Sequence, residues 1–193
     1  MKKLAVFFPG IGYTVDKPLI YYSRKLAADN GYDIKLLPYE GFPQKVRGDK
    51  DKMKESFEMA WSQTLNMLQD DDLKDYDEIL FVGKSVGTVV AGRFASESRY
   101  RDKISLILYT PLKYTFEYGI SNAIAFTGSA DPWVENESEI PKLCEKCDIL
   151  LYIYKDANHS LETGMIDIDL DNMKDIMKKT EKYIKKKGKH YGN

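Results

Sequence analysis

Apolar runs four to seven residues long recur along the chain, and each ends at a glycine, a proline or a polar loop. The first is Leu4-Ala5-Val6-Phe7-Phe8, closed by Pro9-Gly10. Others cover Tyr32 to Leu37, Ile79 to Val82, Ile104 to Tyr109, Asn122 to Thr127, and Asp148 to Tyr154. Continuous apolar runs of this length predict strands buried on both faces, as in a parallel sheet.

The segments between the runs have a helical period. Leu19, Tyr22 and Leu26 fall on one face of a helix with Asp16 at its N-cap, Pro18 just inside and Gly31 at its end. Met53, Phe57, Ala60, Trp61, Thr64, Leu65 and Leu68 form one stripe of a longer helix. A third helix, from about Val86 to Glu97, carries small residues suited to close packing on a sheet. Shorter helical signal covers about Glu137 to Lys146, and the last helix runs from about Asp169 to Lys187 with Leu170, Met173, Met177 and Ile184 facing inward. The acidic run Asp70-Asp71-Asp72 reads as a solvated connection. The segment between Tyr109 and Asn122 is too short for a full covering helix.

Strands that alternate with helices predict an α/β fold: a three-layer sandwich around a mainly parallel sheet of about six strands. At 193 residues the chain fits a single domain spanning 1–193. No internal repeat breaks it. The basic stretch from about 186 to 193 is expected to trail from the ordered body.

Composition narrows the partners. Apolar residues make up 43 % of the chain and the net charge is −1, so it is globular and has no strong field for nucleic acid or anionic membrane. No run approaches the length of a membrane span, and the apolar stretch after Met1-Lys2-Lys3 is too short for a secretory signal. Cys144 and Cys147 form a C-x-x-C pair. With only His159 and His190 to add, four ligands of zinc-finger spacing are not available. Two free thiols suit a reducing cytosol, so a cytoplasmic protein without metal or organic cofactor is expected.

The segment Gly83-Lys84-Ser85-Val86-Gly87 joins the third strand to the third helix. A serine between two glycines at a strand-to-helix turn is a nucleophile-elbow pattern, with the hydroxyl held above the sheet at the positive end of a helix. The sequence Gly-Lys-Ser also ends a phosphate-binding loop. That loop needs a glycine where this chain has Glu78, and flexible residues where it has Ile79 to Val82.

In a parallel sheet, chemistry gathers at the carboxyl ends of the strands. Gly10-Ile11-Gly12 follows the first strand, Ser85 the third, Gly128-Ser129-Ala130-Asp131 the fifth, and Lys155-Asp156-Ala157-Asn158-His159 the sixth. Serine, acid and histidine thus come to one edge in that order. On these residues the chain resembles a small member of the α/β-hydrolase superfamily, beginning at that family's third strand and with no room for a lid between Pro111 and Ser121.

The resemblance implies a strand order of 2-1-3-4-5-6. It also implies Ser85 as nucleophile, His159 as base and Asp131 as the acid behind it. Asp156 is the rival acid, poorly placed only three residues before the histidine. The oxyanion would be held by the amides of Val86 and of Ile11, with Gly12 as the alternative. Gly10, Gly12, Tyr13, Phe42, Tyr109, Trp133 and Leu161 lie just past strand ends and are candidates for substrate contact, or equally for core or rim packing. The resemblance leads to a serine hydrolase acting on a small-molecule carboxylic ester or thioester, with short acyl groups favoured because no lid covers the site. Amide cleavage, acyl transfer, and a binding protein of the same fold without turnover remain open beside it. Oligomeric state is not legible.

Overall fold

The computed structural model describes residues 1–134 and 136–187. The tail expected from about 186 onward, and His190 with it, falls almost wholly outside the described residues. Six strands and five α-helices follow one another as β1 (Lys3–Phe8), α1 (Pro18–Asp29), β2 (Tyr32–Leu36), α2 (Lys50–Met67), β3 (Glu78–Lys84), α3 (Val86–Glu97), β4 (Ile104–Tyr109), β5 (Ala123–Gly128), α4 (Glu139–Lys146), β6 (Leu150–Tyr154) and α5 (Ile166–Lys187).

The strands form one sheet in the order β2-β1-β3-β4-β5-β6, and every neighbouring pair is parallel. Their side chains alternate between two apolar layers. Leu4, Val6 and Phe8 of β1 point into the layer covered by α2, α3 and α4; Ala5 and Phe7 point into the layer covered by α1 and α5. β3 is buried along its whole length, apolar from Ile79 to Val82 and with Glu78 and Lys84 buried at its two ends. β6 is an edge strand, and its Leu150 and Ile153 are exposed.

The short crossover between β4 and β5 is a 3-10 turn at Lys113–Tyr118, packed on α3. The acidic run is more than a solvated link. Asp70–Leu73 forms a 3-10 turn closed by a reciprocal Gln69/Asp72 capping box, and Asp72 pairs with Lys35 at 2.9 Å.

Helix faces depart from the sequence reading at several positions. In α1 the N-cap is Lys17, not Asp16, and the inward face is Leu19, Ile20, Ser23 and Ala27, while Tyr22 is exposed. Leu65 of α2 is also exposed. Leu170 is exposed because α5 packs through Ile176, Thr180 and Ile184 further along. Among the described residues, no helix is long and apolar enough to cross a membrane.

Candidate active site

One residue separates β3 from α3. Ser85 takes φ 54° and ψ −123°, a conformation that an L-residue holds only when its surroundings fix it. Its amide donates to the Tyr109 carbonyl at 3.0 Å. Its own carbonyl accepts from the Thr88 amide at 2.8 Å and the Thr88 hydroxyl at 2.6 Å. The first turn of α3 also lies hard against the end of β1. A Cβ on Gly87 would sit 2.0 Å from the Phe8 carbonyl oxygen, so no larger residue fits. This packing turns the Ser85 hydroxyl up and over the carboxyl edge of the sheet.

His159 arrives from the loop after β6, Asp131 from the loop after β5. The two loops are tied together: the Ala130 amide donates to the Ala157 carbonyl at 3.0 Å, and the Asp156 amide to the Ser129 hydroxyl at 2.8 Å. The result is a continuous chain. Ser85 Oγ lies 2.8 Å from His159 Nε2, and His159 Nδ1 lies 2.7 Å from Asp131 Oδ2. Asp131 Oδ1 accepts from the Trp133 amide at 2.9 Å. The Asp131 side chain is only 1 % exposed, and that of His159 16 %. Asp156, the rival acid, is exposed, and the partner of the ring's Nδ1 is Asp131. The Trp133 ring lies against the imidazole with centroids 5.3 Å apart.

This arrangement fixes one tautomer. A carboxylate only accepts, so Nδ1 carries the hydrogen and Nε2 presents its lone pair to the serine hydroxyl. Burial holds the His159 pKa below its ordinary value; the nearby Lys84 charge adds to this, and Asp131 opposes it. The imidazole is therefore neutral near pH 7, with Nε2 able to accept a proton.

Lys84 is the unexpected member of the site. It is 1 % exposed at the end of β3, and its Nζ sits 4.9 Å from the centre of the Tyr13 ring. Burial pushes the ammonium down to about 7, partly countered by Asp131 and Glu162. Nothing in the sequence marked this lysine as buried, because a lysine beside a strand end is ordinarily exposed.

The turn after β1 closes on itself. The Gly10 amide donates to the Tyr13 carbonyl at 3.1 Å and the Tyr13 amide to the Gly10 carbonyl at 3.3 Å. Gly12 takes φ 67° at the tip, where a Cβ would be strained. These two bonds use neither the Ile11 nor the Gly12 amide. Gly10 itself packs against Ser85: a Cβ there would lie 3.1 Å from that of Ser85. Val86 begins α3 beside Ser85, with its amide at the helix N-terminus.

A cleft of about 800 Å³ opens beside the elbow. Met53, Phe57, Val86, Val89, Leu112 and Trp133 are among its walls. Of the wall candidates read from sequence, only Trp133 lines it. Tyr109 is fully buried, with its hydroxyl 2.8 Å from that of Ser23 and 2.7 Å from that of Thr180. Leu161 is buried in the same apolar layer. Both are therefore core residues, not pocket residues. Tyr13 supports Lys84 and accepts the Leu19 amide at 3.1 Å, and Phe42 packs edge-on to Tyr39 against the other layer. The sequence reading missed Val89 and Leu112, and took Met53 and Phe57 for plain core stripe. The signal for Val89 was its i,i+3 spacing from Val86 on one helix face. Among the described residues, no group of three or more metal-binding side chains converges.

No protein-family model matches the chain, and no curated protein sequence matches it. Solved structures do. Est1E from Butyrivibrio proteoclasticus is similar at a TM-score of 0.69 and 11 % identity, over 96 % of this chain and 88 % of its own. An esterase from Pyrococcus furiosus matches at 0.64 and 16 % identity, over 96 % and 83 %. An α/β serine hydrolase without a lid from Xanthomonas campestris matches at 0.56 and 13 % identity, over 92 % and 81 %. With the sheet order and the strand-to-helix elbow, these likenesses establish that the chain has the α/β-hydrolase fold.

Proposed function

We propose that the protein is a serine hydrolase that cleaves a small-molecule carboxylic ester or thioester through an acyl-enzyme. The observation that carries this reading is the unbroken hydrogen-bonded line from Ser85 Oγ through His159 to a buried Asp131. A serine hydroxyl is a weak nucleophile until a base takes its proton, and the imidazole is held neutral and in the right tautomer to do so.

In the first half-reaction the Ser85 Oγ–C bond forms as the hydroxyl proton passes to His159 Nε2. Negative charge moves to the former carbonyl oxygen, where the Val86 amide at the start of α3 and the Ile11 amide, or that of Gly12, would receive it. Asp131 stabilises the imidazolium. The bond to the leaving alcohol or thiol then breaks, and His159 returns the proton to it. In the second half-reaction water loses a proton to His159 as its oxygen bonds to the acyl carbon; the Ser85 Oγ–C bond then breaks, His159 returns the proton to Oγ, and the carboxylic acid leaves. The fold likeness to esterases agrees with this chemistry, and the reaction needs no cofactor.

The test is intact-mass labelling with a fluorophosphonate probe on wild type, Ser85→Ala and His159→Ala. One adduct on wild type, lost in both variants, is the expected result. Folded wild type that takes no adduct would overturn the reading in favour of a binding protein.

A further inference from the structure

Resting on that hydrolase reading, we propose that the cleft beside Ser85 is an acyl pocket for a medium-length, uncharged aliphatic acid, of about eight to ten carbons, rather than for acetate-sized groups. The absence of a lid led the sequence reading to the opposite expectation. The cleft changes it in three respects.

First, the volume is wrong for a short acyl group. At about 800 Å³ the space lies toward the upper end of the range usual for drug-sized ligands. An acetyl group would leave most of it to water against apolar walls.

Second, the walls include a set of aliphatic and aromatic side chains. Val86 and Val89 come from α3, Leu112 from the segment after β4, and Met53 and Phe57 from α2. The charges on the rim balance: Arg47, Lys50, Lys54 and Lys113 against Asp49, Asp51, Glu117 and Glu139. A rim of mixed sign gives no reason to select an ionic chain.

Third, the cleft borders the reacting serine on a wall away from the base. The leaving group must depart next to His159 Nε2, which protonates it. Val86 follows Ser85 directly and lines the cleft, as does Val89 three residues further along α3. The proposal assigns this wall to the group that stays on Ser85. Trp133, whose ring lies tilted against His159, lines the cleft beside the base.

The experiment is a kcat/KM series on wild type with p-nitrophenyl esters from acetate to dodecanoate, beside octyl acetate and methyl octanoate. The expected result is a rise on the order of fourfold per added methylene until about the octanoate, then a plateau. Methyl octanoate should exceed octyl acetate. Val89→Trp and Met53→Asp, one filling the wall and one charging it, should each lower the octanoate-to-acetate ratio by about tenfold or more. The wild-type series stands without either variant, should one fail to fold. A flat or falling series on enzyme that takes the fluorophosphonate label overturns the acyl pocket and leaves the hydrolase reading intact. An equal gain from lengthening the alcohol overturns it too. Enzyme that takes no label and cleaves no ester fails the underlying reading instead.

Discussion

The ammonium of Lys84 rests 4.9 Å from the centre of the Tyr13 ring, one residue before Ser85 and sealed from water. A ring face attracts a cation by its quadrupole, but this repays only part of the cost of taking an ammonium out of water. Lys84 is therefore a strained charge placed beside the imidazole, and its presence makes His159 harder to protonate.

Lys84→Met should stabilise the fold. The lysine is charged in the unfolded chain up to about pH 10, and in the folded chain up to about 7. Below about pH 7 both states carry the proton and the whole burial cost falls on the folded state. As pH rises further the folded state has shed the proton, and the cost dwindles until the unfolded chain loses it too. Thermal melts should show a gain in Tm for the methionine variant that is larger near pH 6 than near pH 9.

The same substitution should move the pH profile. The proposed mechanism requires neutral His159, so kcat/KM should rise with pH through that group's pKa, which lies below the ordinary histidine value. Removing the neighbouring charge eases protonation. The rising limb of Lys84→Met should therefore shift to higher pH, while Lys84→Arg keeps the charge and should keep the limb low.

Asp131→Asn should cost about 10⁴-fold in kcat with little loss of fold. The amide oxygen can still accept the Trp133 amide hydrogen, now made at 2.9 Å by Oδ1. The amide nitrogen would instead donate to Nδ1 and drive the hydrogen to Nε2, where it blocks the base. Circular dichroism beside single-turnover kinetics separates the two effects.

Tyr109→Phe tests the reassignment of that residue to the core. Its hydroxyl links Ser23 and Thr180, both buried. Losing it should lower stability by about 1–3 kcal/mol in urea unfolding. The kcat/KM for any ester cleaved by wild type should stay within about twofold, because the ring lies outside the cleft. A selective loss of activity would return Tyr109 to the pocket.

Gly87→Ala should be far more damaging than its single methyl suggests. The new Cβ would meet the Phe8 carbonyl at 2.0 Å and the Pro9 carbonyl at 2.5 Å, all of it backbone that cannot rotate away. A loss of about 3 kcal/mol or more is expected by chemical denaturation, together with loss of labelling at Ser85.

The strands were legible because buried parallel strands write themselves as unbroken apolar runs, and the elbow because Gly83-x-Ser85-x-Gly87 joins such a run to a helix. The positions of Asp131 and His159 followed from where strands end. What periodicity could not supply was which layer a residue past a strand end enters. Tyr109 and Leu161 point down into the layer beneath α1 and α5, and only contacts across the fold decide that. Met53 and Phe57 show the converse: an amphipathic stripe has the same spacing whether it meets core or cleft. Lys84 was illegible because the ring its ammonium rests on, that of Tyr13, lies seventy-one residues earlier in the chain.

Ser85 and His159 are separated by 74 residues, Asp131 and His159 by 28. Each comes from a different strand end, and β6, which delivers the histidine, sits at the edge of the sheet. A fragment that stops before that strand lacks the imidazole that Ser85 meets. On the proposed mechanism, nucleophilicity at Ser85 would report on the finished sheet: during refolding, the return of covalent labelling would time the docking of the outermost strand rather than the formation of the elbow.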